Sequence, residues 1–396
     1  MNGVLKLIGR ERPLFRDDFS TRRKEIVETI RDARVLVIGG AGSIGGAVVK
    51  ELFRLDPRVL HVVDISENNL AELVRDIRSS AGHGEGDFRT FCLDCLSPEF
   101  DAFFSATGPY DTILNFSALK HVRSEKDPFT LMRLITVNVM SAERLLNLAM
   151  ESGARKYFCV STDKAANPVN MMGASKRIME RFLMRASSRV PVSTSRFANV
   201  AFSDGSLLDA FTHRMRKNQP LSAPADIRRY FMTPEESAVL CILATFAGGN
   251  REVFFPKLTP ELNLISFADI AVNYLRDLGF KPHLCETEDE ARSRAAELIP
   301  RKLWPCYFFN TDTTGEKDFE EFYTGEEDID WDRFRDIGVI RNQPESDDDA
   351  LDRFVETINR LKAAGSWTKK DLVDLFNATL RTFSHKETFK YLDDRM

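Results

Sequence analysis

Residues 160–176 bring together side chains that are suited to proton transfer. Asp163 and Lys164 follow Thr162 at the end of an apolar run, and Lys176 lies on the next segment. An adjacent carboxyl and amine can serve as general acid and general base if burial moves both pKa values toward neutrality. Contact between them would instead favour the charged pair, so the two can also exchange a proton and trade roles.

A glycine-rich turn supplies a second kind of chemistry, the binding of phosphate. Gly39, Gly42 and Gly45 follow the apolar run 34–38 and lead into an amphipathic segment that begins at Ser43 and Ile44. These glycines suit a tight turn, a close approach of the backbone to a pyrophosphate, and close packing of a helix on a strand. The free N–H groups at the start of that helix favour a negative charge. The pattern predicts a dinucleotide site.

Two aspartates are placed to complete the dinucleotide site. Asp64 ends the second apolar run, roughly 20 residues after the turn, where a carboxylate can accept hydrogen bonds from the adenosine ribose. Because this acid would face a 2′-phosphate, NAD is favoured over NADP. Asp94 ends the third run and can reach the adenine, although a role in a turn is an equal alternative.

The elements that must position these groups alternate between strand and helix. Apolar strands followed by amphipathic helices predict a parallel sheet covered on both faces, which is a doubly wound α/β (Rossmann) fold with a smaller α/β substrate-binding region and a helical C-terminal tail. The predicted strands are 34–39, 59–64, 88–93, 112–116 and 156–161, and the predicted helices are 43–55, 67–79, 97–106, 131–152, 173–187, 348–364 and 369–381. Ser366 or Thr368 can cap the last helix.

We expect four regions along the chain. They are an N-terminal arm over 1–31, an NAD-binding core over 32–201, a mainly substrate-binding region over 202–330 that is interwoven with the core, and an acidic linker with C-terminal helices over 331–396. Acidic residues dominate 312–352, which favours a solvated surface segment.

The composition narrows the class of protein. The chain has 396 residues, 43% of them hydrophobic, and a formal net charge of −5. This balance excludes a disordered chain and disfavours nucleic acid as a partner. No apolar run approaches the roughly 20 residues of a membrane helix. We therefore expect a soluble, cytoplasmic protein. Cys92 and Cys95 form a lone C-x-x-C, so no metal site is predicted.

The segment around Asp163 resembles the extended short-chain dehydrogenase/reductases, in which a Ser or Thr at the strand end accompanies Tyr-x-x-x-Lys on the helix. Here Met172 occupies the tyrosine position, four residues before Lys176. STDKAANPVNMMGASK is similar to the UDP-N-acetylglucosamine 4,6-dehydratases of polysaccharide biosynthesis that carry this methionine. Four further segments agree with that family: 118–122, 196–200, 229–233 and 314–321.

The resemblance implies a reaction and a role for each residue. Hydride would pass from C4 of the sugar to NAD and return to C6, with loss of water across C5 and C6. Asp163 would be the acid at C6 and Lys164 the base at C5. Thr162 would bind O4, whose proton would pass to Lys176, Asp163 or water. Met172 implies the branch that retains configuration at C5.

Further residues are expected around the substrate, UDP-N-acetylglucosamine by this resemblance. Ala118 would line the cofactor, and the sugar nucleotide would contact Lys120, Asn170, Asn199, Arg229 and Glu316. Arg229 offers a bidentate fork for a diphosphate. Alternatives are an epimerase acting at C4 or at C5, or the same dehydration on a GDP-linked sugar. The helices near 131–152 and 173–187 form the dimer face in relatives, which predicts a homo-oligomer.

Overall fold

A nine-stranded sheet forms the centre of the molecule in the computed structural model, which describes residues 2–257, 264–311, 320–344, 348–381 and 383–386. Its strand order is β14-β15-β10-β6-β5-β4-β1-β2-β3. The strands of the described residues are β1 Arg34–Ile38, β2 Val59–Asp64, β3 Asp87–Cys92, β4 Thr112–Asn115, β5 Lys156–Val160, β6 Val192–Ser195, β7 Asn199–Val200, β8 Leu221–Pro224, β9 Arg228–Met232, β10 Glu252–Pro256, β11 Leu264–Ser266, β12 Lys281–Leu284, β13 Leu303–Phe309, β14 Asp328–Asp330 and β15 Ile337–Arg341.

Helices alternate with the first strands, as the sequence predicts. The doubly wound α/β architecture is confirmed. The six neighbouring strand pairs in the part of the central sheet with the order β10-β6-β5-β4-β1-β2-β3 are all parallel. The α-helices are α1 Asn2–Leu7, α2 Arg16–Ile30, α3 Ser43–Leu55, α4 Glu67–Ser80, α5 Pro98–Thr107, α6 Pro128–Ile135, α7 Ser141–Glu151, α8 Met171–Ala186, α9 Leu207–Arg216, α10 Pro234–Ile242, α11 Phe267–Asp277, α12 Glu288–Leu298, α13 Asp348–Ala364 and α14 Lys369–Thr379.

The register of the sheet brings the strand ends that precede the predicted site residues to one edge. Ile38 at the end of β1 is opposite Val63 of β2 and Asn115 of β4. Asn115 is in turn opposite Cys159 of β5. The carboxyl ends of β1, β2, β4 and β5 therefore meet at the same edge, where open α/β sheets bind ligands.

Two three-stranded sheets lie outside the central sheet. One has the order β11-β9-β7 and the other β12-β13-β8. A second cluster of buried apolar side chains, including Phe211, Leu275 and Trp304, packs between these strands and α9 and α11. This smaller unit carries β9, and with it Arg229 and Tyr230, toward the sheet edge.

The acidic stretch 312–352 is only partly the surface segment that we expected. β15 pairs antiparallel with β10 and extends the central sheet. Its residues Ile337, Val339 and Ile340 are fully buried. The expectation of a solvated segment is wrong here because charge counted over forty residues hides one short apolar run. Residues 312–319, including most of the acidic motif, lie outside the described residues.

The N-terminal residues pack on the core instead of projecting from it. Phe15, Ile26 and Ile30 are fully buried. Arg10 forms a buried ion pair with Glu236 at the start of α10. Although the sequence of α2 is highly charged, the helix has one apolar face. This face lies against the segment after α10.

The C-terminal helices also belong to the main core. α13 packs against α8, and α14 packs against α6 and α8. Thr368 caps α14, which selects one of the two predicted capping residues. These helices cover part of the face through which we expected a second copy to bind, and homo-oligomerisation stays a prediction. Among the described residues, no helix combines the length and apolar character that crossing a membrane requires.

The burial of the tail predicts its contribution to stability. Phe376 is fully buried in the main core, so Phe376→Ala should lower the free energy of unfolding by about 3–5 kcal/mol. Leu284→Ala, at a side chain that is 66% exposed, should change it by less than about 0.5 kcal/mol. Urea unfolding of both variants measures the difference. Equal, small effects would show that α14 is not part of the cooperative core.

Candidate active site

The glycine turn after β1 is built so closely that only glycine fits. Gly39 has φ +70°, and a Cβ there would lie 2.6 Å from the backbone nitrogen of Ser117. A Cβ on Gly45 would lie 2.2 Å from the carbonyl oxygen of Gly39. Gly42 precedes α3, and no side chain caps this helix. The first N–H groups of α3, beginning at Ser43, are therefore placed to receive an anionic group.

Asp64 ties this turn to the end of β2. Its carboxylate accepts one hydrogen bond from the N–H of Ala41 and one from that of Ser66, both at 2.9 Å. Each carboxylate oxygen keeps a further lone pair that ribose hydroxyls can use. The glycine cradle, the uncapped helix start and this acid together fit a dinucleotide with its pyrophosphate and adenosine ribose. Ile44 and Ala118 lie at the same sheet edge.

Asp94 has a structural partner in the turn after β3. It accepts a hydrogen bond from the N–H of Leu96 at 2.9 Å, and it lies 3.7 Å from Arg133. A role in this turn was one of the two alternatives that the sequence allowed for Asp94, and contact with adenine was the other. Contact with adenine stays a prediction.

The predicted catalytic residues Thr162, Asp163 and Lys164, here called the catalytic turn, form a compact hydrogen-bonded unit directly after β5. The Thr162 hydroxyl donates to Asp163 Oδ1 at 2.6 Å. Lys164 Nζ lies 3.1 Å from both carboxylate oxygens of Asp163. The side chain of Asp163 is 7% exposed and that of Lys164 is 33% exposed. The carboxyl and the amine are thus in direct contact, and a proton can pass between them without an intervening water.

Helix α8 brings Met172 and Lys176 to the same place. Met172 is buried, and Lys176 Nζ donates to the carbonyl oxygen of Val160 at 2.9 Å. Burial lowers the pKa of Lys176. A Cβ on Gly173 would lie 2.5 Å from the carbonyl oxygen of Lys164, so α8 approaches the catalytic turn as closely as a backbone can. The structure therefore brings all five predicted catalytic residues together.

Lys120 and Asn170 occupy positions near the edges of this site. Lys120 Nζ donates to the hydroxyl of Ser203 at 3.1 Å, and burial lowers the pKa of Lys120. The Asn170 side chain accepts a hydrogen bond from the N–H of Gly173 at 2.8 Å and caps α8. A substrate contact for either residue stays a prediction.

Glu320 is a site residue that the sequence reasoning missed. Asn199 donates its side-chain amide to one carboxylate oxygen of Glu320. The N–H of Tyr230 donates to the other oxygen at 2.9 Å. Burial, followed by the negative charge of Asp163, raises the pKa of Glu320 to about 7, against the opposing effect of Lys164 and Arg229. The signal in the sequence was the acidic end of the 314–321 motif, in which only Glu316 was singled out, and Glu316 lies outside the described residues.

Arg229 and Asn199 lie beside this carboxyl group on adjoining strands. β7 and β9 pair in parallel, and Asn199 is opposite Phe231. One guanidinium nitrogen of Arg229 donates to the carbonyl oxygen of Arg228 at 3.0 Å. The positive charge of Arg229 opposes the rise in the pKa of Glu320. A guanidinium in this place can receive an anionic substrate group through paired hydrogen bonds.

A buried arginine connects these parts. Arg196 is fully buried, and its guanidinium donates to both carboxylate oxygens of Glu180 at 2.9 and 2.8 Å. It also donates to both oxygens of Glu327 at 3.0 and 2.9 Å. Burial alone would raise the pKa of Glu180, but Arg196 lowers it to about 2. Ser161 donates to Glu180 at 2.6 Å, so the cluster also holds the residue before Thr162.

One group among the described residues has metal-ligand chemistry. His283, Cys285 and Glu290 place their ligand atoms within 4.8 Å of one another. Arg294 lies 2.7 Å from His283 Nε2 and 3.3 Å from a carboxylate oxygen of Glu290. The guanidinium thus takes up positions that a cation would need. His283 lies on β12, Cys285 directly follows that strand, and Glu290 lies on α12.

Comparison with known proteins finds relatives that are named for polysaccharide biosynthesis. The model of a family described as polysaccharide biosynthesis protein matches residues 35–297, well over half of the chain. An uncharacterised membrane protein of Methanocaldococcus jannaschii is 31% identical over 65% of this chain and 77% of its own length. The capsular polysaccharide biosynthesis protein CapD of Staphylococcus aureus is 26% identical over 82% of this chain and 53% of its own length. The chain thus spans about half of CapD.

Solved structures share the fold. Pen from Bacillus thuringiensis superposes with a TM-score of 0.64 at 24% identity, covering 79% of this chain and 88% of Pen. A UDP-N-acetylglucosamine 4-epimerase from Methanobrevibacter ruminantium gives a TM-score of 0.55 at 14% identity over 74% and 90% of the two chains. DesIV, a dTDP-glucose 4,6-dehydratase from Streptomyces venezuelae with NAD bound, gives 0.55 at 17% identity over 74% and 89%. At these identities the likeness establishes the fold alone.

The raised pKa of Glu320 predicts how stability depends on pH. The folded carboxyl keeps its proton up to pH about 7, whereas the unfolded chain releases it near 4.5. The contribution of Glu320 to the free energy of unfolding should therefore decrease as pH rises from 4.5 to 7. Denaturant unfolding at several pH values should show this decrease in the wild type and lose it in Glu320→Gln. Glu321→Gln, at the adjacent exposed carboxylate, is the control and should keep the wild-type slope. An unchanged slope in Glu320→Gln would contradict the assignment.

Proposed function

Since this chain belongs to the polysaccharide biosynthesis protein family, we propose that it is an NAD-dependent nucleotide-sugar 4,6-dehydratase that acts on UDP-N-acetylglucosamine. The observation that carries this proposal is the unit Thr162–Asp163–Lys164, held directly after β5 against α8. An acid and a base in contact at the sheet edge are what the removal of water from a sugar requires. The proposed product keeps its configuration at C5 and is a 4-keto-6-deoxy sugar.

The proposed cofactor is NAD, bound between the glycine turn and the catalytic unit. Gly39, Gly42 and Gly45 would receive its pyrophosphate, and Asp64 its adenosine ribose. When bound, NAD accepts a hydride from the sugar and later returns it. The DesIV structure contains NAD on the same fold, which supports this assignment.

The chain's own residues would divide the proton transfers as follows. Thr162 would hold O4 of the sugar through its hydroxyl group. The carboxylate of Asp163 would take up the O4 proton through Thr162, and Lys164 would act as the neutral amine, since exclusion of water by the substrate disfavours its charge. Neutral Lys164 would then remove the proton from C5, and the protonated carboxyl of Asp163 would protonate the departing C6 hydroxyl. The sum over both steps is the loss of one water.

Met172 occupies the position at which the resembled dehydrogenases carry a proton-accepting tyrosine. A thioether neither donates nor accepts a proton at neutral pH, so the O4 proton must leave by another group. Lys176 lies on the same helix and Asp163 already accepts from Thr162. We propose that the proton leaves O4 through Thr162 to Asp163, since this hydrogen bond is in place.

The sugar nucleotide would lie between the catalytic unit and the small sheets. We propose that Arg229 receives the diphosphate and that Asn199, Lys120 and Asn170 contribute polar contacts. A homo-oligomer through the helices near 131–152 and 173–187 also remains a proposal.

A second candidate is an epimerase that shares the ketone intermediate. The fold likeness to the UDP-N-acetylglucosamine 4-epimerase keeps this alternative open. An epimerase returns the hydride to the ring carbon and loses no water, so its product has the mass of the substrate.

Incubation of the purified protein with UDP-N-acetylglucosamine, followed by mass spectrometry, tests the proposal. We expect loss of the mass of one water without added NAD, because the cofactor is regenerated in each cycle. Lys164→Met should form no dehydrated product, since it lacks the base at C5. Lys50→Met, which removes an exposed ion pair with Asp76, should match the wild type.

A product with the same mass as the substrate would show that the reaction is an epimerisation and not a dehydration. The absence of turnover with UDP-, GDP- and dTDP-linked sugars would contradict a nucleotide-sugar enzyme altogether. If only a GDP-linked sugar is dehydrated, the proposed reaction stands and the proposed substrate is wrong.

A further inference from the structure

Residues Phe383–Lys386 follow α14 and return to the start of α8; we name them the C-terminal strap. Phe383 is buried against Phe376 of α14, with ring centroids 6.3 Å apart. The strap lies outside the family-matched residues 35–297. It is nevertheless held at a fixed place on the core.

The strap contacts the start of α8 in two ways. The N–H of Lys386 donates to the carbonyl oxygen of Val169 at 2.9 Å. His385 Nε2 lies 2.8 Å from one carboxylate oxygen of Glu125. The other oxygen of Glu125 accepts a hydrogen bond from the N–H of Met171, the first residue of α8, at 2.8 Å. Glu125 is fully buried and therefore depends on these partners.

The start of α8 is in turn the part of the helix that meets the catalytic turn. Asn170 caps the helix through the N–H of Gly173. Because Gly173 lies against the carbonyl oxygen of Lys164, no side chain separates the two backbones. Lys176 follows one turn later and is fixed to Val160. A displacement of residues 169–173 would therefore change the distance between Lys164 and the other catalytic groups.

We propose that His385 is a positioning residue of the active site: through Glu125 and together with the Lys386 N–H, it sets the start of α8 against Lys164. This inference rests on the proposed function, because it takes α8 and Lys164 to be part of the reaction. The residues of the strap touch neither substrate nor cofactor in this account. Their effect is on the geometry of the groups that do, and rate is sensitive to displacements of about 1 Å.

The test uses three full-length variants. His385→Ala removes one partner of Glu125, whereas His385→Gln keeps an amide N–H that can donate to it. Asp352→Asn is the matched control, because it breaks the ion pair of 2.6 Å between α13 and Arg185 of α8 without touching the strap. For each, kcat and KM with UDP-N-acetylglucosamine, the melting temperature, and amide hydrogen exchange over 169–176 are measured.

We expect His385→Ala to lower kcat by about tenfold or more, within the roughly 100-fold that a small misplacement can cost. Its KM should change less than about twofold, because the strap does not contact the substrate. Exchange over 169–176 should become faster. His385→Gln should restore most of kcat, and Asp352→Asn should match the wild type in both readouts.

The inference is overturned if His385→Ala keeps the wild-type kcat, or if His385→Gln is as slow as His385→Ala. It is also overturned if Asp352→Asn lowers kcat as much as His385→Ala at an equal loss of melting temperature, which would indicate general destabilisation. If the wild-type protein converts no nucleotide sugar, the proposed function fails separately. Exchange then decides whether the strap holds α8: faster exchange in His385→Ala supports it, and equal exchange overturns it.

Discussion

The buried charge of Arg196 is the constraint on which the arrangement of the site depends. A guanidinium with no exposure to water must have its hydrogen bonds satisfied inside the protein, and Glu180 and Glu327 satisfy them. Glu180 lies on α8, Arg196 follows β6, and Glu327 belongs to the segment that carries Glu320. Removal of one member of such a cluster typically costs about 3–5 kcal/mol, since a charge is left buried without a partner. Three separate parts of the chain are thus held in one geometry.

This cluster is connected to the catalytic turn through short links. Ser161 donates to Glu180 and is followed directly by Thr162. Phe322, whose carbonyl oxygen accepts from Arg196 at 2.8 Å, lies two residues after Glu320. The positions of Asp163 and Glu320 are therefore set by one buried network, although their side chains come from segments far apart in the sequence. Such fixed placement keeps reacting groups aligned before substrate arrives.

The charges around the catalytic turn are balanced in a way that suits proton exchange. Asp163 is paired with Lys164, the positive charges of Lys164 and Arg229 act on Glu320, and Lys176 is buried. A carboxyl whose pKa is raised to about 7 can hold or release a proton near neutral pH. Glu320 thereby adds a second carboxyl to the pair that the sequence identified. Its hydrogen bonds from Asn199 and Tyr230 orient it toward the small sheets.

Much of the fold could be predicted because local periodicity determines it. The limits of α3 and β2 agree with the prediction to the residue, since a glycine turn and a terminal aspartate mark them. Glu320 and the strap could not be predicted in the same way. Glu320 pairs with Asn199, 121 positions away, and His385 pairs with Glu125, 260 positions away. Contacts at such separations leave no pattern in spacing or hydropathy. β15 was missed because its apolar residues lie within an acidic stretch.

The proposed dehydration is tested most directly by following the hydride itself. UDP-N-acetylglucosamine carrying deuterium at C4 is converted by the purified protein, and the position of the label in the product is read by nuclear magnetic resonance. Deuterium is expected in the C6 methyl group, because the hydride taken from C4 returns to C6 within the same active site. Deuterium found again at C4, in a product that has kept its oxygen at C6, would contradict this expectation.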